Sequence, residues 1–200
     1  MRSQTLILAS LPLLVRAVDI LLYSAMQEDP ILDCTSNHDG AYIMCSEIPA
    51  DTCCQAFWQW KVNTVTARGL NSSQENGRFP DTLSILNGND ANPCSQECGG
   101  SGGFDKPCLI ANDQCLVDRN GGSIWHDGDN HPKGRFAKRA VKVVNPNVAG
   151  FWHTAGNKHR TFNIGSDVPT EVAQALVNAA NSNVKYEDLD ESIKAFEILS

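Results

Sequence analysis

After residue 17 this chain has no apolar run long enough to cross a bilayer, which takes roughly 20 residues of helix. It has no HExxH pair, EF-hand loop, GxSxG elbow or GK[ST] phosphate-loop ending. The motif-bearing zinc, calcium, serine-hydrolase and nucleotide chemistries are thereby removed. No internal repeat and no low-complexity tract occur, which disfavours a structural wall or coat component. Positive charge is scarce: 16 Lys and Arg face 23 Asp and Glu, for a net charge of −7. An acidic chain of this kind attracts neither nucleic acid nor an anionic membrane surface. Finally, residues 116–200 contain no cysteine, although the chain has 8.

What is present begins with a leader. In MRSQTLILASLPLLVRAVDI, Arg2 forms a positive n-region and Thr5 to Val15 an apolar h-region. Val15 and Ala17 occupy the small-residue positions before a signal-peptidase cut, so the sequence predicts a signal peptide over 1–17 and a mature chain from Val18. The product is expected to be secreted and extracellular, as one domain over 18–200 without membrane insertion. Removal of the leader takes Arg2 and Arg16 and no acid, leaving the mature chain more acidic still.

Export decides how the cysteines read. Cys34, Cys45, Cys53, Cys54, Cys94, Cys98, Cys108 and Cys115 are even in number and bound for an oxidising compartment, so a disulfide framework is expected. No histidine stands among them at zinc spacing, and no metal or cofactor is expected. Adjacent thiols rarely bridge each other, so Cys53 and Cys54 should reach different partners. The full pairing stays open. A stapled, loop-rich part over 18–115 thus precedes a cysteine-free part over 116–200, which is expected to hold by its own packing.

The expected fold class is α+β: mainly antiparallel sheet, a disulfide-stapled N-terminal half and helices near the C-terminus. FWQWKVNTVT alternates with period two, placing Trp58, Trp60, Val62 and Thr64 on one strand face. Shorter strand candidates are 19–23, 41–48, 108–110, 115–117, 123–125, 141–144, 151–153 and 161–164. The Gly-, Asn- and Ser-rich stretch from Asn87 to Asp105 reads as a long loop. Val172, Leu176 and Ala179 predict a helix over 170–181, with Pro169 at its start; Leu189, Ile193 and Phe196 predict a second. Strands followed by helices give the α+β reading.

WHDGDNH is the densest polar cluster, offering His126, Asp127, Asp129 and His131 around Gly128. Imidazole and carboxylate can ligate a divalent ion or form an acid–base pair, and His153 could complete such a site from elsewhere. The same composition is also ordinary turn chemistry. On that reading His126 and His131 point apart, Asp127 and Asp129 bond turn amides, and alanine at both histidines leaves the fold intact. Asn71 opens the sole N-glycosylation sequon, and Lys138-Arg139 resembles a dibasic processing site.

The leader, the acidic mature chain, the 8 cysteines and a CxxIPxxxCC-like stretch (Cys45, Ile48, Pro49, Cys53, Cys54) resemble the small secreted cysteine-rich proteins of filamentous fungi, many of them effector-like. The resemblance implies secretion and contact with a host or environmental molecule. The expected function is a cysteine-rich interaction protein that binds an extracellular or host protein or carbohydrate. The alternative is a secreted hydrolase centred on His126, Asp127, Asp129, His131 and His153. In the first case Trp58 or Trp60 can stack on sugar rings.

Overall fold

The computed structural model of the chain describes residues 16–24, 40–56, 62–71, 80–89, 92–102, 108–110, 122–128 and 142–198. The strands are β1 (Ala17–Ser24), β2 (Tyr42–Pro49), β3 (Thr52–Gln55), β4 (Val62–Arg68), β5 (Thr82–Asn89), β6 (Asn92–Gly102), β7 (Cys108–Ile110), β8 (Gly122–His126), β9 (Lys142–Val144), β10 (Val148–His153) and β11 (Lys158–Asn163). Helix α1 (Thr170–Asn181), a 3-10 turn (Tyr186–Asp188) and the one-turn helix α2 (Glu191–Lys194) follow. Strands take 49% of the described residues and helices 19%.

That proportion corrects the α+β expectation: the protein is mostly β, built from two sheets. The helical periodicity near the C-terminus is real but yields little helix. Leu176, Val177 and Ala180 bury one face of α1. The second segment ends after one turn because Ala195 and Phe196 turn the chain back, and Glu197 pairs with Phe162 of β11.

The first sheet runs β11-β10-β2-β1-β4-β7 and all its pairings are antiparallel. The second runs β6-β5-β8-β3-β9, with β3 and β9 parallel. β1 is covered on both faces, as its unbroken DILLY run requires. Ile20 and Leu22 enter the main core, while Leu21 and Tyr23 join Tyr42, Met44 and Val148 on the other side. Trp125, Phe151, Phe162, Leu176 and Leu189 complete the main core. Each large apolar side chain fully removed from water there contributes about 2 kcal/mol.

The two halves of the sequence interlock, so the cysteine-free part is not self-contained. β10 pairs with β2 and packs beneath α1, while β8 and β9 flank β3. The expected loop from Asn87 to Asp105 contains β6, which pairs with β5 through three register shifts. Its poor strand composition shows in that irregularity; pairing with β5 overrides the weak propensity.

CSEIPADTCC forms the corner at which the chain leaves one sheet for the other. Glu47 and Asp51 bracket it with φ of 54° and 59°, in the left-handed region. The Trp125 indole donates to the Ile48 carbonyl at 3.0 Å, and the Asp51 amide to the Trp125 carbonyl at 2.9 Å. Successive residues of a strand point to opposite faces, so the cysteine doublet serves two cores. Cys54 bridges back to Cys45 of β2, and Cys53 bridges to Cys94 of β6. β3 and β6 are separated by β8 and β5. Three steps of a flat sheet would part them by roughly 14 Å, yet the Cys53 and Cys94 Cα atoms are 6.5 Å apart. The second sheet therefore curls over itself. Gly122 makes room for the doublet: a Cβ there would lie 2.6 Å from the Cys54 carbonyl oxygen. Cys98 lies in β6 and Cys108 in β7; Cys34 and Cys115 fall outside the described residues.

Candidate functional site

His126 ends β8 and is buried, with its Nδ1 2.5 Å from the Asp51 carboxylate. The left-handed turn at Asp51 presents that carboxylate, so the pair ties β8 to the sheet-switching corner. Asp51 lies 75 positions before His126 in the chain. The geometry also inverts a catalytic dyad, in which a buried carboxylate orients an imidazole that faces substrate. Here the Asp51 side chain is 64% exposed and that of His126 8%. His126 is therefore packed into the folded body, where alanine would remove a buried, bonded group. Asp127 is half-buried, and the Gly128 amide donates at 3.3 Å to Asp81, from a distant segment. Asp129 and His131 fall outside the described residues.

His153 lies in a different network, beside the C-terminal segment. Its Nδ1 accepts from Arg160 Nε at 3.4 Å, its Nε2 stands 4.0 Å from Glu187, and its ring packs on Tyr186. Glu187 accepts from the Thr154 and Ala155 amides at 2.7 and 3.4 Å, closing the β10–β11 turn. The bond from its own amide, and after it these two, hold the Glu187 carboxyl below the usual range. Arg160 binds Glu197 at 2.8 Å, and Tyr186 donates to the same carboxylate at 2.9 Å. The bond to Glu197 raises the Tyr186 pKa above its ordinary value. The cluster latches the C-terminal segment to β11. His159 is occupied separately, with the Gly40 carbonyl 2.9 Å from its Nε2. The structure thus brings neither His153 nor His159 to His126 in these contacts. Among the described residues, no group of three His, Cys, Asp or Glu side chains is placed to hold a metal ion.

Among the described residues, a groove of about 680 Å³ with a polar lining lies between the β9–β10 link, the β11–α1 link and the first turn of α1. Asn145, Asn147, Asn163 and Asp167 provide its polar groups, over Ile164 and Pro146. Two of the amides are fixed. Asn147 Oδ1 accepts from the Ser46 amide at 2.9 Å while its Nδ2 donates to Ser46 Oγ at 2.6 Å. Asn163 Nδ2 donates to Asp167 at 2.8 Å, and its Oδ1 accepts from the Gly165 amide at 2.8 Å. An array of fixed amide donors and acceptors suits a ligand rich in hydroxyl or peptide groups.

Sequence reasoning did not select Asp51, Asp81 or the groove residues. The Asp51–His126, Asp81–Gly128 and Asn147–Ser46 contacts span 75, 47 and 101 positions, which no local spacing encodes; those of Asn163 with Gly165 and Asp167 are local but match no site motif. Asn71 is half-buried, and its amide donates to Asp81 at 2.6 Å. Trp58, Trp60 and Lys138-Arg139 fall outside the described residues. Comparison with protein-family models, curated proteins and solved structures finds no match for this chain.

Proposed function

We propose that the protein is a secreted, cysteine-rich interaction protein that binds an extracellular or host ligand, protein or carbohydrate, without transforming it. The observation that carries this reading is the groove bounded by Asn145, Asn147, Asn163 and Asp167 on a bridged two-sheet scaffold. Preset amides recognise a ligand with little ordering of their own, and disulfides keep such a scaffold rigid outside the cell. The signal sequence and the effector-like cysteine pattern support export, and Asn71 is the proposed glycan acceptor.

The test is calorimetric titration of the purified protein with oligosaccharides of wall polymers and with short neutral peptides. The expected result is saturable binding that Asn163→Ala weakens at least tenfold. Absence of binding in both ligand classes would remove the groove as the site. The hydrolase alternative keeps one observation in its favour, the His126–Asp51 pair. Hydrolysis of ester, peptide or glycoside substrates that vanishes in a folded His126→Gln protein would replace the binding reading with that one.

A further inference from the structure

Arg16 lies two residues before Val18, in the segment that the expected cut removes, yet it is seated in the folded body. Its Nη2 is 2.6 Å from Asp81 Oδ2 and its Nη1 3.2 Å from Oδ1, the paired contact of a guanidinium on a carboxylate. Nη2 also donates to the Gly69 carbonyl at 2.9 Å. The guanidinium carbon sits 5.8 Å from the centre of the Trp125 ring. The Asp81 side chain is 1% exposed and that of Arg16 is 41% exposed, so the receptor is internal and the arginine reaches it from the surface.

Arg16 is not the only group that holds Asp81. Asp81 is held by the Asn71 amide at 2.6 Å and the Gly128 amide at 3.3 Å, and its own amide donates to the Asn71 carbonyl at 3.0 Å. Gly69, Asp81 and Trp125 all lie downstream of Ala17; only the cation lies upstream. Cleavage after Ala17 therefore takes the guanidinium and leaves the carboxylate, the carbonyl and the indole in place. An internal carboxylate stripped of its cation is strongly unfavourable, which gives the seat an affinity for a replacement.

We infer that the mature chain uses this seat to bind an arginine side chain presented by a partner protein. A planar guanidinium can span both carboxylate oxygens, reach the carbonyl and stack on the indole at once; a lysine ammonium cannot match that set. The flanking surface agrees in charge. A groove of about 620 Å³ lined by Asp19, Glu47, Pro49 and Ala17 opens at the same end of β1, and cleavage removes Ala17 from its wall. The groove lies on the strand face opposite Arg16, and its carboxylates make this end of β1 acidic, which suits a basic segment around the bound arginine. The new ammonium of Val18 is the competing occupant. Val18 is buried and paired with Ile48, which keeps that ammonium at the end of the strand.

This inference rests on export with cleavage after Ala17, and the experiment separates the two. Chains starting at Val18 and at Arg16 are titrated with N-acetyl-arginine amide and N-acetyl-lysine amide, following the Trp125 indole proton by NMR. The Val18 chain is expected to bind the arginine probe at least tenfold more tightly than the lysine probe. It should also bind it at least tenfold more tightly than the Arg16 chain, whose own side chain fills the seat. Asp81→Asn in the Val18 chain should abolish the selectivity. Should that variant not fold, guanidinium chloride at low concentration should displace the arginine probe from the unmodified Val18 chain. Equal affinity for the two probes, equal affinity of the two chains, or no displacement overturns the seat. Terminal sequencing of the exported protein checks the premise: a chain that retains Arg16 overturns the cleavage. A Val18 start without arginine selectivity overturns the seat alone.

Discussion

Replacing each observed disulfide by an alanine pair separates chain entropy from corner geometry. Cys53 and Cys94 are 41 residues apart, Cys45 and Cys54 only 9. Closing loops of these sizes restricts the unfolded chain by about 4 and about 2.7 kcal/mol respectively. All four cysteines are buried, so the packing losses on their removal are similar and the difference of about 1.3 kcal/mol is the informative quantity. Urea unfolding, followed by tryptophan fluorescence and circular dichroism, is expected to show the Cys53→Ala/Cys94→Ala protein as the less stable of the two. Since β10 pairs with β2, and β8 and β9 with β3, both variants should still unfold in a single transition. The reverse order would mean that the Cys45–Cys54 bridge acts by enforcing the left-handed corner at Glu47 and Asp51, and the entropic reasoning would fail. Hydrogen exchange adds a second check. Amides of 148–163 that keep full protection while those of 42–56 lose it would refute the interlocked architecture.

Gly150→Ala places a methyl 2.2 Å from Tyr42 Cζ, with the ring pinned in the sheet, and should lower stability by about 1–3 kcal/mol in thermal unfolding. His126→Ala should destabilise the fold by about 1–3 kcal/mol through loss of a buried bonded group; an unchanged denaturation midpoint would contradict its structural role. Tyr23 and Tyr42, raised chiefly by burial, and Tyr186, raised by its bond to Glu197, all ionise above the ordinary value of 10.0. The folded state holds these protons where the unfolded state releases them. Their contribution is complete below pH 10 and lost as the pH climbs beyond it, so tyrosinate absorbance should rise together with alkaline unfolding. Glu187→Gln should raise amide exchange at Thr154 and Ala155 and leave β1 and β4 unaffected.

The elements most legible in the sequence were those with a strong local signal. The apolar run of β1, the apolar start of β2 and the period of Val172, Leu176 and Ala179 all fall on observed elements. β3, β5 and β6 were not read. TCCQ is too short to show a period, and TLSIL runs straight into the turn-like NGND. β6 owes its extension to β5 and to the bridge at Cys94, both non-local. The α+β reading failed because helical periodicity was taken as helix length, whereas α2 is cut to one turn by the return of the chain to β11. At the candidate sites, WHDGDNH stood out in the sequence for its polar density, and its first histidine, His126, is buried against Asp51. Its partner Asp51 lies 75 positions away, beyond any spacing rule.

β11 is the outermost strand of the first sheet, and the C-terminal segment lies along it: Glu197 bridges to Phe162, and the Ile198 amide donates to the Thr161 carbonyl at 2.7 Å. Exposed strand borders are where foreign chains add themselves to a sheet and where aggregation starts. Residues 197 and 198 already occupy part of that border, and the Arg160–Glu197 pair holds them there. Any strand that joins this border, from a second copy or another protein, must first displace the molecule's own C-terminal segment. Assembly along β11 is thereby made competitive, and a fusion or truncation at the C-terminus acts directly on that competition.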